Sequence, residues 1–230
     1  MRSARTVRPE ILDSLDTGDP RALHSRRDLQ KVNALMGHSR FLARALRGTI
    51  GGSQVVELGA GDGTLLLNVA KRLGRQANPV RAVLIDRKPS LSPETRAGFD
   101  ANGWRVEIRE LDVFDWLARP HPAAADVTIA NLFLHHFRES ELPELLGRAS
   151  QQTGRFIACE PLRSGVAVIG ASLLRLVGCN RVTLHDARAS VRAGFRDQEL
   201  SALWPRDPCW HLSEGRSGLF THTFMADHAV

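Results

Sequence analysis

Tyrosine is missing altogether from the 230 residues, so no phenol side chain can serve as acid, base or nucleophile. Lysine is scarce as well. Lys31, Lys71 and Lys88 are the only ones, and the net charge of +6 is therefore carried almost entirely by arginine. Those arginines are scattered among acidic residues, which reads as a solvated surface before it reads as a nucleic-acid footprint. An anionic partner would instead declare itself by steep salt dependence. Cysteine is limited to Cys159, Cys179 and Cys209, odd in number and without a CxxC pair. This pattern predicts free thiols in a reducing compartment, with no disulfide frame and no metal-ligand spacing. Long apolar runs are also lacking. The most apolar stretch, Val166–Cys179, is too short to cross a bilayer and contains Arg175. The N-terminus has no apolar core of the kind a signal peptide needs, so the expectation is a soluble, cytoplasmic protein.

Two patterns divide the chain. Residues 1–48 read as helices: Asp19-Pro20 sets a capping acid before a proline, and Gly37 is a plausible stop. Ser25-Arg26-Arg27-Asp28 resembles a capping box that opens a helix carrying Leu29, Val32, Leu35 and Met36. A shorter helix is expected over Arg40–Arg47. After Gly51-Gly52, short apolar runs alternate with helical segments. The expected strands are Gln54–Leu58, Arg81–Ile85, Arg105–Arg109, Asp126–Ala130 and Arg155–Cys159. Leu65–Leu73, Pro93–Asn102, Phe114–Ala118 and Glu139–Ser150 lie between them as helices. Such alternation implies right-handed crossovers and a mainly parallel sheet. After a helix at Asp197–Leu203, Trp210–Glu214 and Leu219–Ala226 are expected to form a hairpin around a four-residue turn. The domain reading is an N-terminal helical cap over 1–50 and a ligand-binding domain over 51–230, with an apolar insertion at 162–195.

Val55–Thr64 runs from an apolar strand into a glycine-rich turn and on into an apolar helix. Glycines there allow a tight turn and a close approach of backbone to ligand. The spacing is GxGxG, Gly59-Ala60-Gly61-Asp62-Gly63, and not the GxGxxG that seats a pyrophosphate on a helix N-terminus. Glu57 at the strand end and Asp62 in the turn would repel a pyrophosphate but suit a cationic amino-acid ligand. Asp86 closes the next strand, where an acid suits a ribose diol.

Glu57–Gly63 resembles the first motif of the class I S-adenosylmethionine-dependent methyltransferases, and Asp86 matches their ribose-binding acid. Leu111-Asp112-Val113 is similar to the family's adenine-side segment. Asp126–Asn131, with His135-His136-Phe137 beyond it, resembles the fourth-strand motif, and Glu160-Pro161 after the fifth strand also fits. The resemblance implies a Rossmann-like α/β fold with a seven-stranded, mostly parallel sheet and a C-terminal antiparallel hairpin. It implies S-adenosyl-L-methionine as cofactor and S-adenosyl-L-homocysteine as product. The implied cofactor residues are Glu57, Gly59, Ala60, Gly61, Asp62, Gly63, Asp86, Arg87, Asp112, Val113 and Asn131.

Methyl transfer needs orientation above all, and a base only where the acceptor must lose a proton. Candidate catalytic residues are His135, His136 and His185, although adjacent histidines point in different directions and His185 has only its neighbour Asp186 to orient it. Arg163, Arg188 and Arg192 are candidates for steering an acidic acceptor. Asn131-Leu132-Phe133-Leu134 lacks the two prolines associated with amino methylation of bases and glutamine. This favours a small apolar or aromatic acceptor, with oxygen as the accepting atom, over RNA or protein. The insertion 162–195 is either a core or homodimer-contact helix or the roof of an acceptor pocket, with residues 20–47 as the opposite wall and Leu173 and Leu176 facing the acceptor. A non-catalytic nucleotide-binding module is the alternative from another class, and the acids at Glu57, Asp62 and Asp86 argue against it.

Overall fold

Val55, Val56 and Leu58 are buried on both faces of their strand, which marks a central strand of a covered parallel sheet. In the computed structural model, which describes residues 4–16, 18–119 and 124–229, that strand is β1, Gln54–Leu58. Parallel neighbours flank it on each side: β2, Val80–Asp86, and β4, Val127–Asn131. β3, Trp104–Glu110, extends the sheet beyond β2, and β5, Arg155–Pro161, extends it beyond β4. An antiparallel hairpin, β6 (Trp210–Ser217) and β7 (Thr221–His228), completes the order β3-β2-β1-β4-β5-β7-β6. β6 runs longer than the expected Trp210–Glu214, and β7 is shifted toward the C-terminus from the expected Leu219–Ala226, so that Gly218, Leu219 and Phe220 form the turn.

Each sheet face carries a helical layer. Val55, Ala82 and Ile157 pack with α3 (His38–Ala45), α4 (Thr64–Leu73) and α5 (Pro93–Ala101), around Leu42, Leu66 and Phe99. Val56, Leu58 and Ala158 pack with α6 (Val113–Leu117), α7 (Leu142–Ser150) and α10 (Glu199–Leu203), around Leu145 and Trp204. The alternation of Val55 and Val56 between these clusters is the two-residue period of a strand.

The remaining helices stand over the carboxyl ends of the parallel strands. They are α1 (Ile11–Ser14), α2 (Pro20–Met36), α8 (Gly165–Leu173) and α9 (Arg181–Ala193). Asp19 caps α2 by accepting from Arg21 N, and Gly37 ends it in the left-handed conformation at φ 71°. The expected capping box at Ser25–Asp28 is not a cap. It lies inside α2, and its polar groups are spent on a distant partner. Asp28 accepts from Asn180 N at 2.9 Å and from Thr183 Oγ1 at 3.2 Å, and Thr183 Oγ1 also donates to Ser25 Oγ. A buried carboxylate satisfied in this way fastens α2 to the N-terminus of α9. Among the described residues no helix is long and apolar enough to cross a membrane.

Candidate functional site

The turn after β1 is held open by backbone geometry. Gly59, Gly61 and Gly63 have φ of 70°, 55° and 70°, values that L side chains rarely adopt. Gly59 N and Ala60 N donate to Ile85 O, and Gly61 N donates to Asp86 Oδ2 at 2.9 Å. Lys88 N donates to the other oxygen of Asp86, so this carboxylate fixes two loops to each other. Asp62 accepts from Thr64 N and, through its second oxygen, from Gln30 Nε2 of α2. The turn is thereby tied to the helix above it.

A cavity of about 910 Å³ opens at this point. Glu57, Gly59, Ala60, Gly61 and Asp62 form one side, with Asp86 and Arg87 beside them. Asn131, His135 and His136 continue the wall past the end of β4. Glu57 is 2 % exposed, and its Oε2 is buried without a hydrogen-bond partner among the described residues. Burial pushes its carboxyl well above the usual range, and the nearby Asp62 and Asp86 push the same way. An acid placed so is costly to the empty protein and suited to a buried cation.

Gly63, Asp112, Val113 and His185 stand outside this lining, as do Arg163, Arg188 and Arg192. Gly63 faces the core, where a Cβ would lie 2.7 Å from Leu91 Cδ1. Asp112 caps α6 by accepting from Phe114 N at 2.8 Å, and Val113 is buried in the core. His185 is half exposed and pairs with its own neighbour: its Nδ1 lies 2.9 Å from the accepting Asp186 Oδ1. Asp186, not His185, reaches the cavity, and it accepts from Ile11 N and Leu12 N. Arg163 is an internal tie, buried and bonded to Gly194 O and Glu199.

The helices above supply an apolar wall, but by a different face than the sequence suggests. Ala167, Gly170, Ala171 and Leu174 line the cavity opposite Leu29 and Val32 of α2. Leu173 and Leu176 point to solvent, 53 % and 79 % exposed. They cannot form the acceptor wall.

His135 is buried, with Nδ1 2.7 Å from Glu160 Oε2 and Nε2 3.5 Å from Glu10 Oε1. Glu160 also accepts from the backbone N–H of Phe133, Leu134 and His135. Burial alone would lower the imidazole, but pairing with Glu10 and Glu160 outweighs it and raises His135 to about 9. Burial alone would raise Glu10, but His135, His136 and Ser190 bring it to about 2. Glu10 was invisible to local sequence reading, since nothing near residue 10 marks a contact with residue 135. Glu160 was visible only as a residue following a strand.

Residues 55–153 match the family model described as a methyltransferase domain. No curated protein matches the sequence. Among solved structures, an O-methyltransferase family protein from Burkholderia thailandensis superimposes with a TM-score of 0.59 at 20 % identity, over 93 % of this chain and 61 % of that one. The mitomycin 7-O-methyltransferase MmcR gives 0.61 at 20 % identity, over 95 % and 60 %. The plantazolicin methyltransferase BamL, solved with a triazolic desmethylPZN analog and SAH, gives 0.65 at 10 % identity, over 92 % of both chains. The chain thus spans about three fifths of the first two proteins. The chain shares the overall fold of these structures, and the matched segment contains the glycine turn. Residues 55–153 are thus similar to a methyltransferase domain, and the chain as a whole has the Rossmann-like fold of these structures.

Proposed function

We propose that the protein transfers a methyl group from S-adenosylmethionine to an oxygen of a small apolar or aromatic metabolite. The observation that carries this reading is the buried Glu57 carboxyl, whose Oε2 has no partner among the described residues, in a cavity whose opposite wall is apolar. Glu57 would receive the ammonium of the amino-acid end, with Gly59, Ala60 and Gly61 approaching by backbone and Asp62 fixing the turn. Asp86 would accept from the ribose hydroxyls, using lone pairs left over from Gly61 N and Lys88 N. Arg87 and Asn131 would flank the nucleoside. Asp112 and Val113 would enter only from outside the present lining, and Gly63 serves by shaping the turn.

The volume suits two molecules, since ligand pockets span roughly 300–1,000 Å³. The sulfonium supplies an activated methyl group when bound. The protein's own part is to orient the acceptor, exclude water and hold charge. His135 and His136 stand at the junction between the cofactor side and the apolar wall, where an acceptor oxygen would arrive. His185 is turned away from that junction and would act through Asp186. We propose that residues 1–50 form the cap over this junction, with 51–230 as the catalytic domain.

The pocket is also where RNA or protein methylation would differ, because those acceptors need an open approach that α2, α8 and α9 cover. Calorimetry with S-adenosylmethionine, S-adenosylhomocysteine and NAD tests the cofactor half; tight NAD binding without sulfonium binding overturns it. Untargeted mass spectrometry of a cell extract supplied with the cofactor tests the acceptor half, through a methyl-mass gain on a small molecule.

A further inference from the structure

We propose that Glu10, His135 and His136 form a divalent-cation site in the cavity wall, suited to an ion of the zinc–cobalt class. Each offers one ligand atom, and these atoms lie within 4.8 Å of one another. Two imidazoles and a carboxylate form a ligand set that leaves further coordination positions open.

The surroundings of His135 are those of a metal ligand. A ligating histidine nearly always gives its other ring N–H to an acceptor, a carboxylate among them, which fixes the tautomer and turns the remaining nitrogen to the ion. His135 Nδ1 meets Glu160 Oε2 at 2.7 Å, and both side chains are buried. Glu160 is itself immobilised by three backbone N–H groups. Nε2 is consequently the atom that faces the cavity.

Distance points the same way. Nε2 to Glu10 Oε1 is 3.5 Å, longer than an ordinary N–H···O bond of about 2.7–3.2 Å. Two N/O ligands at about 2.0–2.2 Å from a tetrahedral zinc stand about 3.3–3.6 Å apart. The His136 ring stacks on His135 at a centroid distance of 4.3 Å and a tilt of 32°, on the same side of the wall.

Glu10 is held for this role. Thr6 N donates to Arg192 O, while Ile11 N and Leu12 N donate to Asp186, so both flanks of Glu10 are pinned to α9. Ser190 Oγ donates to Glu10 Oε1. Glu10, Glu160 and Asp186 outnumber the Arg5 guanidinium, which bonds the carbonyls of Leu134 and His135. On binding, the ion replaces the proton on Nε2, and that proton passes to solvent. Its open positions face the cavity, so an acceptor oxygen could complete the shell. That use rests on the reading above, whereas the binding itself does not.

The test is titration of the metal-free full chain with Co²⁺ alone, followed by its visible ligand-field bands, and with Zn²⁺ in competition. One Co²⁺ per chain is expected, in a low-coordinate site without thiolate character. Glu10→Gln and His136→Ala should each weaken binding by more than about tenfold, and Glu160→Gln by about 10–100-fold. Circular dichroism confirms that these variants fold; Glu10→Gln is nearly isosteric and serves if the others do not. Asp207, Cys209 and His228 form a second, fully exposed group, so Cys209→Ala is the control and should bind as the parent does. No saturable binding, equal binding in Glu10→Gln and His136→Ala, or loss in Cys209→Ala would overturn the proposal. Because the readout is metal binding, its failure would leave the methyl-transfer reading standing, and the reverse also holds.

Discussion

A Cβ placed on Gly59 would lie 2.2 Å from Cδ2 of Phe133, so the glycine turn and the segment after β4 are in contact with no room to spare. Gly59 also has φ 70°. Gly59→Ala is therefore expected to cost about 2–4 kcal/mol, from the clash and the left-handed backbone together. Gly61 has open space around its Cβ position, so Gly61→Ala should cost about 1 kcal/mol, the backbone penalty alone. Urea unfolding of the two variants checks the difference. Both should lose S-adenosylhomocysteine binding, Gly59→Ala through distortion and Gly61→Ala through the intruding methyl.

Glu57 should show opposite effects on stability and binding. Its carboxyl is raised well above the usual 4.5 by burial, Asp62 and Asp86. Above pH 4.5 the unfolded chain releases this proton more readily than the folded one, so the residue destabilises the empty protein as pH rises. Glu57→Gln is expected to raise the melting temperature at neutral pH while weakening cofactor affinity at least about tenfold, the loss of one charged hydrogen bond. Unchanged cofactor affinity in Glu57→Gln would remove Glu57 from the proposed cation-binding role.

His38 predicts an acid-sensitive window. Its Nε2 pairs with Thr221 Oγ1 at 2.9 Å, and burial lowers its pKa from 6.5 to about 4. Between those values the unfolded chain binds a proton that the folded chain refuses, so stability falls as pH drops from 6.5 to 4. The full difference is about 3 kcal/mol. His38→Gln should flatten this part of the stability–pH curve. The contributions of Asp28 and Glu10, whose carboxyls are lowered, are lost at more acid pH, below the ordinary carboxylate range.

The two faces of α8 should separate by mutation. Leu173→Ser and Leu176→Ser alter exposed side chains and should leave binding of a small phenolic probe such as 1-naphthol unchanged. Ala171 is 6 % exposed and lines the cavity, so Ala171→Phe should fill the apolar side. Isothermal calorimetry should show the probe lost and S-adenosylhomocysteine retained. Equal effects from both faces would contradict the cavity assignment.

The sheet was legible because its information is local. Gln54–Leu58 sets Val55, Val56 and Leu58 around the single acid Glu57, and β1 covers the span expected for it. The glycine turn was legible because only glycine fills those backbone conformations without strain. Ser25 and Asp28 misled because a capping box and a helix–helix contact use the same residue types. Their partner, Thr183, is distant in sequence and supplies no local signal. Leu173 and Leu176 misled because α8 lines the cavity with its small residues, while Leu173 at its end and Leu176 in the turn beyond it face outward. The Glu10–His135–Glu160 group was legible only in part, since its members come from a strap, a turn and a strand end that the fold alone brings together.

The sheet order places β7 between β5 and β6, although β6 precedes it in the chain. During synthesis, then, β6 emerges with nothing to pair with, and the hydrogen-bonding edge of β5 stays bare until Thr221–His228 arrives. A ribosome-released fragment ending before residue 221 would present Ile157 and Cys159 on an uncovered edge, the kind of surface that recruits other chains.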